Sequence, residues 1–305
     1  MKHLFIINPA AGRQDSTERL LEHIQALELD TELFLTARAG DALRRTQQAV
    51  QQGEPMRIYA CGGDGTLNEV VCGAAGHDHV AVTNVPKGTA NDFLRIFGKG
   101  WRAGFSDLEA LAAGPQAVFD LLDCNGKLGI GVACAGVDAR IADDVHKYTQ
   151  LPAVEGTGAY VLSLIVNVLF KGITRPCTVD MGDFHYEGET AILCACNGRY
   201  YGGGFMPVGD AMPDDGVLDF LMVPKVSRFT FFRLVGQYAK GKYRNYPQLI
   251  RHYHGERITF SSDQELVAVV DGETVKAKSF TIQLAQQKIN FFYPAYLHYR
   301  PEQNR

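Results

Sequence analysis

The chain has 305 residues, enough for one large domain or two ordinary ones, with the 46% hydrophobic and 21% charged content of a globular protein. Its net charge of −4 provides no overall basic field that would draw the chain to nucleic acid or to acidic lipid, which argues against nucleic acid as a partner. The longest apolar stretch, residues 160–170, is shorter than the roughly 20 residues that span a bilayer, and seven cysteines without paired spacing argue against zinc and favour reduced thiols. We therefore expect a cytoplasmic protein that contacts membranes at most peripherally.

Residues 1–122 alternate between apolar runs typical of strands and amphipathic stretches typical of helices. The predicted elements in chain order are a strand over Leu4–Ile7, a helix over Thr17–Leu27, a strand over Thr31–Thr36, a helix over Asp41–Gln52, and strands over Ile58–Cys61 and Val80–Val85. This alternation predicts a mostly parallel sheet covered by helices. Ligands bind such sheets at the carboxyl ends of the strands. The glycine loops 10–13, 62–66 and 86–92 each follow a strand, so all three are expected at that edge of the sheet.

The most informative stretch is Ile58–Val71, which combines a buried strand, a glycine loop and a helix predicted to start at Thr66. Gly62, Gly63 and Gly65 permit a sharp turn and a close approach of a ligand to the backbone. The N-terminus of a helix offers free N–H groups to an anion, so phosphate is the expected ligand. Asp64 within this loop predicts that a divalent cation or a sugar hydroxyl accompanies the phosphate. A plain strand–helix turn is the alternative reading of the glycines alone.

A second loop, residues 86–93, repeats the pattern with Thr89 and Asp92 after a strand, although its polar residues could also cap a helix. Asp120 and Asp123 lie at the predicted domain junction. One of these two could join Asp64 and Asp92 in a carboxylate cluster, and either could be an ordinary hairpin residue. Arg13 and Arg95 follow the first and the third glycine loops, where a cation would neutralise phosphate; solvated surface charges are the alternative.

Residues 123–288 are predicted to form a second domain, an antiparallel β-sandwich, because Asn125-Gly126 predicts a hairpin and short alternating strands follow. The predicted strands are Thr178–Met181, Ala191–Asn197, Val217–Val223, Arg257–Ser261, Glu265–Asp271 and Ser279–Leu284. Two helical insertions are predicted at about 157–171 and 227–241. The strand-like tail, residues 289–305, is expected to return to the first domain.

Two acidic turns of the second domain have both a structural and a functional reading. Asp215, in the turn Asp214–Gly216, is either a simple turn residue or a ligand of Mg²⁺ or Ca²⁺ together with backbone carbonyls. Glu273, after Asp271-Gly272, is either part of a hairpin tip or a general base. The insertion at 227–241 mixes aromatic and basic residues, so it either seeks a membrane surface or packs on the sandwich.

Together these motifs resemble the diacylglycerol kinase catalytic-domain family, soluble bacterial lipid kinases related to sphingosine and ceramide kinases. The resemblance extends from Asn8-Pro9 through Gly62–Glu69, Gly88–Phe93, Gly202–Gly204 and Asp214–Asp219 to Asp271–Glu273. The first glycine loop alone would also suit the NAD kinases. The later motifs favour the lipid kinases. The resemblance implies an NAD-kinase-like α/β nucleotide-binding domain followed by a β-sandwich lipid-substrate domain, with the active-site cleft between them.

The resemblance also implies roles for individual residues. The expected ATP-binding residues are Asn8, Pro9, Ala10, Ala11, Gly12, Arg13, Thr36, Gly62, Gly63, Asp64, Gly65, Thr66, Leu67, Asn68 and Thr89. Asp64 is expected to organise Mg²⁺ and ATP with Asp92 and Asp120, and Glu273 to accept the proton of the lipid hydroxyl. A structural Mg²⁺ is expected at Asp215, with the carbonyls of Met212 and Val217.

We therefore expect an ATP-dependent kinase that phosphorylates a hydroxyl of a membrane lipid such as diacylglycerol, giving phosphatidate or a related phospholipid. Gly209-Asp210 stands where the family often has proline, and Arg13 where a lysine is also common, two departures from the family pattern. An NAD kinase and a non-catalytic nucleotide-binding regulator are the alternatives. The sequence leaves the lipid open, and it leaves open whether the chain forms a homodimer.

Overall fold

The computed structural model describes residues 1–12, 16–137, 139–141 and 172–300. Within it the chain forms two compact units. The first comprises Met1–Leu121, Met212–Asp214 and Ala285–Arg305, and the second comprises Leu122–Ala211 and Asp215–Leu284. The assignment of Met212–Asp214 to the first unit was not expected from the sequence. Arg13 and the helix expected at about 157–171 lie outside the described residues.

The first unit is built on parallel strands, as their continuous apolar runs predicted. Its strands are β1 (Lys2–Ile7), β2 (Thr31–Leu35), β3 (Met56–Gly62) and β4 (Val80–Pro86). They lie in the order β2-β1-β3-β4, and residues 290–291 pair in parallel with β4. The carboxyl ends of β1, β3 and β4 therefore lie at one edge, each followed by one of the three glycine loops.

Helices connect the strands of the first unit. They are α1 (Thr17–Gln25), α2 (Asp41–Val50), α3 (Asp64–Ala74), α4 (Trp101–Gly104) and α5 (Leu108–Ala113), with a 3₁₀ helix over Phe93–Phe97. Ser106 precedes α5 and stands three residues before Glu109, the spacing of a capping box, but its hydroxyl donates to the Arg102 carbonyl. Asp107 is the cap instead, because its carboxylate accepts the Ala110 N–H at 2.9 Å.

The core of the first unit is aromatic. The rings of Phe5 and Tyr59 stack with centroids 4.0 Å apart, and Phe119 stacks on Phe291 at 5.5 Å. Phe97 meets Phe105 edge-on at 4.8 Å. Such pairs contribute about 0.5–1.5 kcal/mol each beyond the burial of their surface, so they hold the sheet that carries the glycine loops.

The second unit is predominantly antiparallel, as a β-sandwich requires. Its strands are the end of β5 (Gln116–Cys124), β6 (Lys127–Gly129), β7 (Val132–Gly136), β8 (Arg175–Met181), β9 (Phe184–Cys196), β10 (Leu218–Pro224), β11 (Arg251–Gly255), β12 (Arg257–Val270) and the first part of β13 (Glu273–Phe292). The hairpin predicted at Asn125-Gly126 joins β5 to β6, with both residues at positive φ of 52° and 86°.

Two hydrophobic clusters form the core of the second unit. One includes Val179, Phe220 and Phe280, and the other includes Leu221 and Val223. The alternation of neighbours such as Phe220 and Leu221 between the clusters is the period-two pattern of a strand buried on both faces. The helix α6 (Arg228–Tyr238) packs on the second cluster through Phe231 and Tyr238.

Two strands are longer than predicted. The stretches expected as Arg257–Ser261 and Glu265–Asp271 form the single strand β12, with an irregular register between Ser261 and Leu266. The strand β13 contains 20 residues, of which 273–284 belong to the second unit and 285–292 to the first. Among the residues described, no helix is long and apolar enough to cross a membrane.

Candidate active site

The junction of β3 and α3 is tighter than predicted. The helix starts at Asp64 rather than at Thr66, so only Gly63 separates it from the strand. A Cβ on Gly62 would lie 2.3 Å from the Thr66 hydroxyl oxygen, which explains why the chain has no side chain there. The helix α3 has no side-chain cap at its N-cap residue, which is Gly63. Its N-terminus therefore combines a glycine N-cap with the positive end of the helix dipole, the combination that binds phosphate.

The second glycine loop packs directly on the first. The Gly62 carbonyl accepts the N–H groups of Lys87 at 3.1 Å and Gly88 at 3.2 Å. It also accepts the side-chain amide of Asn91 at 2.9 Å. A Cβ on Gly88 would come within 2.5 Å of the Gly63 Cα, so the two backbones touch. The two loops form one hydrogen-bonded structure at the edge of the sheet.

Asp64 connects the two loops. Its carboxylate accepts the Asp92 N–H at 2.6 Å, although it stands in the first turn of its own helix. Burial raises the pKa of the Asp64 carboxyl above its ordinary value, and the backbone N–H groups of Asp92 and Asn91 lower it in part. Backbone hydrogen bonds hold this carboxylate in place, and its burial favours a cation beside it.

A cleft of about 450 Å³ opens beside this junction, at the carboxyl ends of β1 and β2. Six of its lining residues are ones that the resemblance assigns to ATP: Asn8, Pro9, Ala10, Thr36, Gly65 and Thr66. The Asn8 amide donates to the Thr66 hydroxyl at 3.2 Å, and the Thr36 N–H donates to the Ile7 carbonyl at 2.9 Å. These bonds fix two walls of the cleft relative to the glycine loop.

The other residues expected to bind ATP have different surroundings. Ala11 closes a turn by donating its N–H to the Asn8 carbonyl at 3.2 Å, and Gly12 follows at a φ of 92°. The side chains of Leu67 and Asn68 are buried on the inner side of α3. Thr89 is exposed, and its carbonyl accepts the Arg102 guanidinium at 3.3 Å.

Glu69 positions the remaining wall of the cleft, a role that the sequence analysis missed. Its carboxylate accepts the Gly40 N–H at 2.8 Å and the N–H groups of Ala42 at 3.0 Å and Leu43 at 3.2 Å. It therefore caps α2 from another helix, across 26 to 29 residues of sequence. No local pattern could predict this, because the capping side chain comes from outside the segment that it caps.

Two further carboxylates of the first unit pair with basic side chains. Asp92 is buried and lies 3.0 Å from the Arg95 guanidinium. Asp120, also buried, lies 2.6 Å from the Lys288 ammonium. Among the residues described, no group of three His, Cys, Asp or Glu side chains is arranged to hold a metal ion. The joint action of Asp64, Asp92 and Asp120 on a cation stays a prediction.

The expected general base lies in the second unit. Glu273 is the first residue of β13, and its carboxylate forms an ion pair with Lys127 on β6. Val270 and Glu273 are directly opposite each other, so Asp271 and Gly272 form the tip of a hairpin. The structural reading of this turn is therefore correct, and a catalytic role of Glu273 is compatible with it.

Asp271, which precedes the hairpin's Gly272, organises its surroundings. At a φ of 46°, it accepts the N–H groups of Ile130 at 2.7 Å, Gly131 at 3.0 Å and Val132 at 2.9 Å. A Cβ on Gly131 would lie 2.5 Å from this carboxylate. Asp271 thus holds the start of β7, another role that the sequence analysis missed.

The residues expected to hold a structural Mg²⁺ are divided between the units. Asp215 and Val217 belong to the second unit, and Met212 belongs to the first. Asp215 is exposed and accepts the Val217 N–H at 3.3 Å, as in an aspartate turn. Mg²⁺ binding by these residues stays a prediction.

Comparison with known families covers nearly all of this chain. Residues 2–124 match the diacylglycerol kinase catalytic domain, and residues 131–293 match the YegS C-terminal NAD kinase beta sandwich-like domain. A structure titled as a putative diacylglycerol kinase from Bacillus anthracis has the same fold, with a TM-score of 0.76 and 22% identity over 97% of this chain and 98% of that one.

Curated relatives agree with these matches. A probable lipid kinase YegS-like of Pseudomonas fluorescens is 31% identical over 73% of this chain and 73% of its own length. One from Stenotrophomonas maltophilia is 28% identical over 95% of both chains. The match to a Pseudomonas syringae relative, at 34% identity, spans 66% of this chain and 63% of that protein. The chain therefore belongs to the diacylglycerol kinase catalytic-domain family, in which it resembles the YegS-like proteins.

Proposed function

We propose that this protein is an ATP-dependent lipid kinase. It transfers the γ-phosphoryl group of ATP to the hydroxyl of a membrane lipid such as diacylglycerol, giving phosphatidate or a related phospholipid. The observation that carries the proposal is Asp64, a half-buried carboxylate at the N-terminus of α3, where two glycine loops meet beside the cleft. Family membership and the relatives described as probable lipid kinases support the same conclusion.

In the proposed mechanism the first unit binds and orients the nucleotide. The glycine loops let phosphate oxygens approach the backbone, and the N–H groups at the start of α3 donate to them. Asn8, Thr36 and Thr66 line the part of the cleft that would receive the rest of the nucleotide. Mg²⁺ bound to the triphosphate would neutralise its charge, and Asp64 is the carboxylate that would hold it.

The second unit would supply the proton acceptor. A lipid hydroxyl attacks the γ-phosphorus in line, its oxygen forms the new P–O bond, and the bond to the ADP oxygen breaks. Glu273 would take the hydroxyl proton. Its ion-pair partner is Lys127 of the same unit. Since the acceptor stays in a bilayer, the enzyme would work at a membrane surface.

Label transfer from γ-labelled ATP tests this proposal. The wild-type protein is incubated with Mg²⁺ and a panel of lipids in detergent mixed micelles, with NAD as a separate acceptor. We expect label in a chloroform-extractable phospholipid and none in NADP. Label in NADP alone would instead identify an NAD kinase. ATP binding without transfer to any acceptor would identify a non-catalytic nucleotide-binding regulator.

A further inference from the structure

The segment around α6 has a charge opposite to that of the whole chain. From Phe220 to Gly255 the sequence contains seven Lys and Arg residues and no Asp or Glu, in a chain whose net charge is −4. Two of these cations are paired, Lys225 with Glu189 and Arg244 with Asp210. Within the described part of the chain, Arg228, Arg233, Lys240 and Lys242 have no carboxylate at salt-bridge distance.

The helix α6 has apolar residues on an inner and an outer face, and among the described residues those of the inner face are buried whereas those of the outer face are exposed. Phe231 and Tyr238 point into the second unit and are 6% and 4% exposed. They pack above Ile192 and Val223, where the remaining cavity measures only about 30 Å³. The inner face is therefore already well packed, and the fold does not require further apolar residues on the outside of the helix.

The outer face nevertheless carries Phe229 and Phe232, which are 77% and 42% exposed. They are the only exposed phenylalanines among the residues that the structure describes. Positions 229, 232, 236 and 240 are separated by steps of three or four residues, as are positions 229, 233, 236 and 240. All of them therefore follow one side of the helix and its C-terminal extension. Two exposed aromatic rings thus stand beside Arg228, Arg233 and Lys240.

We propose that the outer face of α6, defined by Arg228, Phe229, Phe232, Arg233 and Lys240, docks the enzyme on an anionic phospholipid bilayer. The two rings enter the interfacial region, and the basic side chains lie at the level of the phosphates. Each basic residue near an anionic membrane strengthens binding by about fivefold. The unpaired cations are opposite in charge to this bilayer surface, whereas a second copy of the chain would place like charges opposite one another.

This inference rests on the proposed function, since an enzyme that phosphorylates a bilayer lipid has to reach the bilayer. The docking test itself requires neither ATP nor catalysis. The full chain is sedimented with vesicles of phosphatidylcholine alone and with vesicles of equal parts phosphatidylglycerol and phosphatidylcholine. We expect the wild type to sediment with the anionic vesicles at least about tenfold more strongly than with the neutral ones.

Two double variants separate the aromatic contribution from the electrostatic one. Phe229→Ser with Phe232→Ser and Arg228→Gln with Arg233→Gln are each expected to lower binding to anionic vesicles by about tenfold or more. All four positions are exposed, so the melting temperature should stay close to that of the wild type. Val118→Ser and Lys278→Gln remove an exposed apolar and an exposed basic side chain elsewhere, and should change binding by less than about twofold.

Activity assays then distinguish failure of docking from failure of the proposed function. Both double variants should lose phosphorylation of diacylglycerol in anionic vesicles and keep it in detergent micelles. If the wild type phosphorylates no lipid but still binds anionic vesicles through these residues, only the proposed function fails. The proposed docking surface would be wrong if the wild type bound anionic and neutral vesicles equally. It would also be wrong if the double variants bound anionic vesicles as strongly as the wild type. A dimer that Phe229→Ser with Phe232→Ser dissociates, with vesicle binding unchanged, would also overturn it, because the occupant would be a second copy.

Discussion

The two units hold their key carboxylates in different ways. In the first unit, backbone N–H groups hold Asp64, and the loops around it are bonded to each other. In the second unit, Glu273 is held by the flexible ammonium group of Lys127. Backbone donors fix the position of a carboxylate and leave its charge available to a cation. An ion pair keeps a carboxylate charged but lets it move, so the first site is built to bind and the second can exchange partners.

In the second unit, the largest effect should come from removing the charge of Glu273. Glu273→Gln should lower kcat by about 10²–10⁴-fold, the usual contribution of a general base, with the KM for ATP changed by less than about twofold. Steady-state kinetics with diacylglycerol in mixed micelles measures both constants. Glu265→Gln, at an exposed site on β12, is the matched control. A kcat within a few-fold of the wild type would show that Glu273 is only the end of a hairpin.

A smaller effect, on stability, is expected from Gly62→Ala. The new Cβ would displace the Thr66 side chain, which receives the Asn8 amide, so we expect a loss of about 1–3 kcal/mol. Gly65→Ala is the matched control in the same loop, because a Cβ there meets nothing within 4 Å and alanine favours the helix. Thermal unfolding should show a lower midpoint for the first variant only. Equal midpoints would mean that the junction is looser than its hydrogen bonds indicate.

Local sequence patterns predicted part of the fold and of the site. Apolar runs, glycine loops and the Asn125-Gly126 turn are local patterns, so the strands of the first unit and the hairpin were predictable from short stretches. The carboxyl-end rule placed the three glycine loops at one edge, and the family resemblance added Asn8, Thr36 and Thr66, which line the cleft found there. The start of α3 was wrong by two residues, since the glycines suggested a longer loop than the packing permits.

Long-range contacts could not be predicted in this way. Lys127 and Glu273 are 146 residues apart, and no periodicity relates them. The same applies to Glu69 at the start of α2 and to Asp271 at the start of β7. Each of these carboxylates satisfies donors of a segment distant in sequence. The sequence of one segment identifies the carboxylate and the turn, but not the distant groups that the carboxylate binds.

The smallest effect concerns an ion-paired carboxylate of the first unit. Hydrogen bonds from Lys2 and then from Arg45 lower the pKa of Glu32 below its ordinary value of 4.5. A lowered pKa stabilises the fold above pH 4.5, and this stabilisation is lost as the pH falls through the lowered value. Glu32→Gln should therefore cost at most about 1 kcal/mol at neutral pH, and the difference from the wild type should shrink in acid. Chemical denaturation across this pH range measures it, and a difference that stays constant with pH would contradict the assignment.

The most direct test of the central claim is phosphate transfer by Asp64→Asn. This variant keeps an oxygen to accept the Asp92 N–H but removes the negative charge beside the phosphate loops. Asp107→Asn is the matched control, because Asp107 also accepts a backbone N–H, at the cap of α5. We predict that Asp64→Asn loses transfer from γ-labelled ATP to diacylglycerol by about 10³-fold or more while its melting temperature stays close to that of the wild type. Transfer at the level of Asp107→Asn would contradict the assignment of Asp64 to the ATP site.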